Sequence, residues 1–267
     1  MENNVLELLK TMPTISLEEM ESIRLMNRTD QKYLATLTQL ERLLQMAQGK
    51  YFVQESDGGK VVHPYRTIYL DTPDCEMYLM HHNGRAPRQK VRVRTYMDSG
   101  ITFLEVKNKN NHGRTKKKRT EVHGLDTLIA DGGNELMEKH AWYRLEQLVP
   151  KVENQFERIT LVNTDKTERL TIDSHVRFLN WETQRTGGYD RLVVIELKRD
   201  GNVPSPVLDI MRTLRIHPSG FSKYCIGSVL TTPELKQNLF KPKLRKIEKM
   251  LDREFMYFEN LETNNNK

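Results

Sequence analysis

The spacing of apolar and polar residues changes several times along the chain, and each change predicts a new element. Residues 1–10 carry apolar side chains at helical spacing. Ser16 and Glu19 have the form of a capping box opening a second short helix, whose first turn the nearby acids would stabilise. From Arg24 to Ala35 the period falls to two: Met26, Arg28, Asp30 and Lys32 share one face of a strand, Leu25 and Tyr33 the other. Thr38 starts a helix with Leu40, Leu43, Leu44 and Ala47 on one side, ending near Gly49. Strands follow at 66–71, 88–97, 101–109 and 115–122, with turn residues at Asp57-Gly58-Gly59, Asp98-Ser99-Gly100 and Asn110 to Gly113. The 98–100 link suits a tight hairpin and so an antiparallel pair. A helical stretch at 125–149, broken at Asp131-Gly132-Gly133, precedes strands at 155–162, 169–173 and 191–198. Helices at 205–214 and 243–260 end the chain, the latter with Ile247, Leu251, Phe255 and Phe258 on one stripe.

Nothing in this pattern repeats, and no linker separates two parts, so residues 1–267 are expected to form one domain with its core at about 24–230. No run approaches the roughly eighteen apolar residues of a membrane span, and the N-terminus lacks the apolar segment of a secretory signal. The only cysteines, Cys75 and Cys225, have no spaced partner and read as buried small residues, which points to a reducing cytoplasm. The C-terminal stripe is expected to pack on the sheet wall. The alternative is that it docks a partner such as a membrane protein, placing the chain at the periphery of the inner membrane.

Charge changes the picture more than composition does. The chain has 42 Lys and Arg against 36 Asp and Glu, a net charge of +6, which favours a polyanionic partner without choosing one. The placement of these charges is more informative. On 88–96 the even positions are Arg88, Lys90, Arg92, Arg94 and Tyr96, opposite Val91 and Val93. On 103–109 Phe103, Glu105, Lys107 and Lys109 share a face, and Lys117, Arg119 and Glu121 continue it. Arg158 and Thr160, then Arg169, Thr171 and Asp173, then Glu196 and Lys198, repeat the arrangement. A face of this kind is ordinarily solvated. Here, however, like charges recur on strand after strand, and they repel unless an anion lies between them. Closing the sheet into a barrel of about eight strands would gather the cations around a small lumen fit for a linear polyanion, with a carboxylate left to hold a divalent cation.

Two other features carry less. Arg114 to Arg119 contains five basic residues in six, but nothing supplies an aromatic platform or recognition helix, so nucleic acid is not the expected partner. His81 and His82 are adjacent, point apart, and read as surface polar residues rather than metal ligands.

In order, the segments Arg28-Thr29-Asp30-Gln31-Lys32-Tyr33, Tyr69-Leu70-Asp71-Thr72, Lys90 to Tyr96, Leu104-Glu105-Val106-Lys107, Lys117-Lys118-Arg119, Arg169 to Asp173, Ile195-Glu196-Leu197-Lys198 and Phe221-Ser222-Lys223-Tyr224 resemble the VTC-type polyphosphate polymerases of the triphosphate tunnel metalloenzyme (CYTH-like) superfamily. The resemblance implies an α+β fold, an eight-stranded antiparallel β-barrel tunnel with flanking helices. It also implies transfer of the terminal phosphate of ATP onto inorganic polyphosphate with Mn²⁺ or Mg²⁺. On it, Lys32, Arg92, Arg94, Lys107, Arg158, Lys198 and Lys223 are the catalytic phosphate contacts, and Glu196 is the metal ligand. Arg28, Lys90, Glu105, Lys109, Lys117, Arg119, Arg169, Ser222 and Tyr224 bind substrate. Tunnel triphosphatases usually open with Glu-x-Glu-x-Lys, where this chain has Arg28, Asp30 and Lys32. That difference favours the polymerase over hydrolysis by a triphosphatase or polyphosphatase of the same fold; a non-catalytic polyphosphate- or nucleotide-binding module is the other alternative. Gly220 stands where eukaryotic relatives carry a further Lys, so that one phosphate contact is either missing or supplied by His217.

Overall fold

Eight long strands hydrogen-bond side by side, each antiparallel to its neighbours. This computed structural model describes residues 3–23, 28–56, 58–201 and 203–252, without the side chains of residues 21, 22 and 28. The path runs β2 (Arg28–Thr36), β11 (Leu192–Asp200), β9 (Glu168–Asn180), β8 (Val149–Asn163), β4 (His63–Asp71), β5 (Arg88–Tyr96), β6 (Thr102–Lys109), β7 (Thr115–Val122). Three short strands attach to it. β3 (Tyr51–Glu55) lies on β8, β1 (Thr14–Ser16) runs parallel to β3, and β10 (Thr186–Tyr189) pairs with β9.

The expected closed barrel needs correction, because β2 and β7 do not pair among the described residues. The free edge of β2 is used instead by the loop after residue 216: Ser219 N donates to the Lys32 carbonyl at 2.8 Å, and Pro218 bridges Tyr33. β7 exposes Lys116, Lys117, Lys118 and Arg119, and such an edge resists further pairing. The sheet still curls far enough that side chains from its two ends face one another.

Its convex face is apolar and covered by helices. On one side Ile159, Leu161, Leu170, Ile172, Ile195 and Leu197 pack against α1 (Asn3–Lys10), α3 (Leu37–Ala47) and α6 (Pro206–Thr213). On the other, Ile68, Val91, Val93, Leu104 and Val106 pack on α5 (Gly133–His140). α2 (Leu17–Ser22) starts with the expected capping box, in which Ser16 Oγ accepts from Glu19 N at 3.1 Å.

Most strand expectations hold, with longer ends. β4, β8 and β9 extend beyond the alternating segments, β8 and β9 past a register irregularity at Gln155/Glu157 that breaks the period of two. The 125–149 stretch reduces to α5 and a short 3₁₀ turn at Leu145–Gln147, because Gly132 at φ 81° opens the helix and Val149 already begins β8. Two helices were not expected, α4 (Glu76–His82) and α7 (Lys223–Thr231). Helix 241–252 accounts for the described part of the C-terminal helix; the rest of 243–260, like Arg24 to Asn27, lies outside the described residues.

α7 fills one end of the curled sheet. Leu34, Tyr69, Val152, Phe156 and Val194 of the concave face pack with Tyr224, Cys225, Ile226 and Val229, and helix 241–252 adds Leu244 and Ile247. Gly227 permits this approach, since a Cβ there would lie 2.4 Å from Phe178 Cδ1.

Candidate functional site

With Val91, Val93, Leu104, Val106, Ile159, Leu161, Ile172 and Ile195 on the convex face, strand parity turns their neighbours inward. Lys90, Arg92, Arg94, Glu105, Lys107, Arg158, Thr171, Asp173, Glu196, Lys198 and Lys32 therefore share one concave space. Lys107 on β6 feels Glu196 of β11 and Lys32 of β2, which come from the opposite end of the sheet path, so the lumen is common to all these strands.

Three carboxylates organise the cations. Glu105, fully buried, accepts from Arg92 Nε at 2.6 Å and Lys117 Nζ at 2.8 Å. Asp173 accepts a fork from Arg158, Nε at 2.6 Å and Nη2 at 2.8 Å, and a third bond from Lys223. Glu196 accepts from Lys32 and lies 3.4 Å from Lys198 Nζ. Burial alone would raise all three carboxyl pKa values. The facing cations outweigh it and hold them well below the usual carboxylate range: Arg92, Arg94 and Lys117 at Glu105, Arg158 and Lys223 at Asp173, and Lys198, Lys32 and Lys107 at Glu196. The acids thus remain ionised and keep the cations in place.

Lys107 has no such carboxylate in contact. Its side chain is exposed yet flanked by the neighbouring strands. That partial loss of solvent, with the charges of Arg92, Lys32 and Lys90, pushes its pKa down to about 8. Arg94 is pushed down to about 10 by burial and by Arg92 and Arg158, while its Nε donates to Thr67 Oγ1 at 3.2 Å. An excess of charge in the lumen calls for an anion.

At the filled end, the N-terminus of α7 faces this space. Ser222 caps the helix by accepting from Cys225 N, and Lys90 Nζ donates to the same hydroxyl at 2.8 Å. Lys223 Nζ also lies 4.0 Å from the Phe156 ring centroid, and the Arg158 guanidinium 4.9 Å from that of Tyr65. Hydroxyl, ammonium and helix terminus together form a cradle suited to a phosphate group.

The other expected site residues are placed unevenly. Arg119, opposite Glu105 on β7, stacks 4.2 Å over Phe103 at the exposed margin of the lumen. Lys109 is half-buried near the end of β6, opposite Arg88. Arg169 has the right parity, but its Nη2 donates to the Met20 carbonyl at 2.6 Å, so it holds the end of α2. Tyr224 is 2% exposed, donates to Asp71 and stacks on Tyr69 at 5.0 Å. It builds the apolar end and does not line the lumen. Helix α7 imposes this, because the residue after Lys223 must turn to another face. His217 lines a separate cleft between helix 241–252 and α3. The Arg28 side chain lies outside the described residues.

His81 and His82 also need correction: both lie on α4, with His82 2% exposed and His81 Nδ1 3.0 Å from the buried Cys225 Sγ. Sequence parity marked Asp173 and Thr171 as inward without giving either a role. Tyr65, Thr67 and Tyr69 were missed, although alternation within 63–71 carries that signal.

Among the described residues no three His, Cys, Asp or Glu side chains cluster as metal ligands. A hard dication takes about six or more oxygen ligands, which Glu196 cannot supply alone. The neighbouring chemistry nevertheless fits. Thr171, paired in register with Glu196 and 5% exposed, has an Oγ1 with no hydrogen-bond partner among the described residues. A carboxylate and an unsatisfied hydroxyl suit a cation that takes its remaining oxygens from water and phosphate.

The family model for the VTC domain matches residues 27–231. No curated protein matches the chain. Among solved structures the chain is similar to HpAC1 from Hippeastrum, an adenylyl cyclase candidate with a dominant triphosphatase activity. The TM-score is 0.51 at 13% identity, covering 79% of this chain and 97% of that one. It is also similar to PH1819 from Pyrococcus horikoshii, with a TM-score of 0.44 at 11% identity, covering 74% and 97%.

Proposed function

The chain belongs to the VTC domain family, and from that premise we propose that it is a polyphosphate polymerase, passing the terminal phosphate of ATP to the end of an inorganic polyphosphate chain. One observation carries this reading. The lumen gathers Lys32, Arg92, Arg94, Lys107, Arg158, Lys198 and Lys223 from strands at both ends of the sheet and from α7, while Glu105, Asp173 and Glu196 among them are each already held by two cations. Such a space accepts a run of phosphates better than a single one.

Phosphoryl transfer asks little covalent chemistry of a protein: it needs charge neutralisation and in-line placement. Arg92 and Arg94 offer planar forks to successive phosphates, and Lys107 and Lys32 offer compact charges across the lumen. Ser222, Lys90 and Lys223 at the α7 cradle would hold a terminal phosphate. An oxygen of the acceptor chain attacks the terminal phosphorus of ATP, the bond to the bridging oxygen breaks, and ADP leaves. Mn²⁺ or Mg²⁺, held by Glu196 with Thr171, would offset charge on the phosphate oxygens.

Hydrolysis by the same lumen is the second reading. It is favoured by the exposure of Lys107 and Lys117, which leaves the β6–β7 side open to water. Both readings are tested by incubating the protein with ATP, Mn²⁺ and a short polyphosphate primer, then measuring polymer length and free phosphate. Lengthening is expected, and Lys107→Ala is expected to abolish it with an unchanged circular dichroism spectrum. Phosphate release without lengthening would establish the hydrolase instead, and neither product a binding module.

A further inference from the structure

Outside the lumen, helix 241–252, α3 and the turn after α6 enclose an open cleft of about 950 Å³. Five formal cations line it: Arg42 of α3, Arg215, and Arg245, Lys246 and Lys249 of helix 241–252, with His217 beside them. Among the described residues, no carboxylate and no Phe, Tyr or Trp lines it. Glu248 of the same helix is not among the lining residues, and together with burial its charge raises the pKa of Tyr189. Arg245 and Lys249 stand one helical turn apart, as do Lys246 and Lys249, and like charges at that spacing destabilise a helix unless an anion lies between them.

We propose that this cleft is a second polyanion site that holds inorganic polyphosphate outside the tunnel; the inference rests on the polymerase reading. The contrast with the lumen supports it. There, acids accompany and fix the cations. Here, the cations come from three elements and no acid is among the described lining residues, which suits a long linear anion that touches several at once. Among the described residues the lining offers no aromatic platform of the kind a nucleobase stacks on, so nucleic acid fits less well. The cleft also adjoins the machinery. Lys243 of the same helix donates to the Gly220 carbonyl, in the loop that leads to Ser222 and Lys223.

The test compares the intact protein with the triple variant Arg245→Gln, Lys246→Gln, Lys249→Gln, using calorimetric titration with long-chain polyphosphate and with tripolyphosphate across a salt series. Long-chain affinity is expected to fall at least tenfold. Its log–log salt slope should become shallower by about 2, at roughly 0.7 per neutralised contact on a single strand. Tripolyphosphate affinity and turnover should stay within twofold. Unchanged long-chain binding, a parallel loss for tripolyphosphate, or equal competition by a single-stranded oligonucleotide would each overturn the site. Failure of the wild-type protein to bind tripolyphosphate at all would sink the tunnel reading instead, and Lys107→Ala separates the two by losing tripolyphosphate while keeping long-chain binding.

Discussion

Asp173 and Glu196 are alike in chemistry and opposite in setting. Each is a lumen carboxylate held between two cations. Asp173 is 5% exposed, and its partners Arg158 and Lys223 only 14% and 12%, backed by the rings of Tyr65 and Phe156. Glu196 is 19% exposed, with Lys32 at 33% and Lys198 at 23%. An ion pair in a dry setting is expensive to break, whereas one in contact with water can exchange partners. On the proposed function, the Asp173 cluster therefore fixes Arg158 and Lys223 in position at the α7 cradle, and the Glu196 cluster is the place where phosphate would take over the cations.

The largest expected effect tests that division directly. Glu196→Gln should lower transfer about a hundredfold, the scale of losing one charge-stabilising group, while urea denaturation moves little. Asp173→Asn should instead cost about 3 kcal/mol of stability, because it strands two buried cations. Equal stability losses in the two variants would erase the distinction.

Next in size is a pH effect confined to the wet cluster. Lys107, pushed down to about 8, loses its proton in the free protein above that pH, whereas bound phosphate favours the charged form. Tripolyphosphate affinity should fall up to about tenfold per pH unit above 8, relative to Lys107→Arg, whose guanidinium stays charged. The same slope in both proteins would show that Lys107 does not titrate on binding.

The smallest effect belongs to the apolar end. Tyr224→Phe removes a hydroxyl that donates to Asp71 and should cost about 1–2 kcal/mol of stability without changing the Michaelis constant for ATP. A raised Michaelis constant would return Tyr224 to the lumen.

Much of this site was legible in the sequence. The alternation in 88–96 and 103–109 assigns Lys90, Arg92, Arg94, Glu105 and Lys107 to one face, and the structure has them there. Arg169 follows the same alternation and Tyr224 belongs to the matching Phe221-Ser222-Lys223-Tyr224 segment, yet Arg169 bonds the α2 carbonyl and Tyr224 packs at the apolar end. A motif fixes neither the helix that rotates Tyr224 away from Lys223 nor the α2 carbonyl that claims Arg169. The α7 helix itself was hidden: Ser222 to Thr231 is apolar nearly all round, as suits a buried plug, and shows no amphipathic period.

The sequence by itself determined which side chains share each strand face, because a period of two is a local property of the backbone. Only the tertiary structure decided how far the sheet curls, that its two edge strands do not pair with each other among the described residues, and which carboxylate is dry and which is wet. Those depend on the approach of residues far apart in the chain, such as Lys107, whose charge feels that of Glu196, and on solvent exclusion by a helix no local pattern announces.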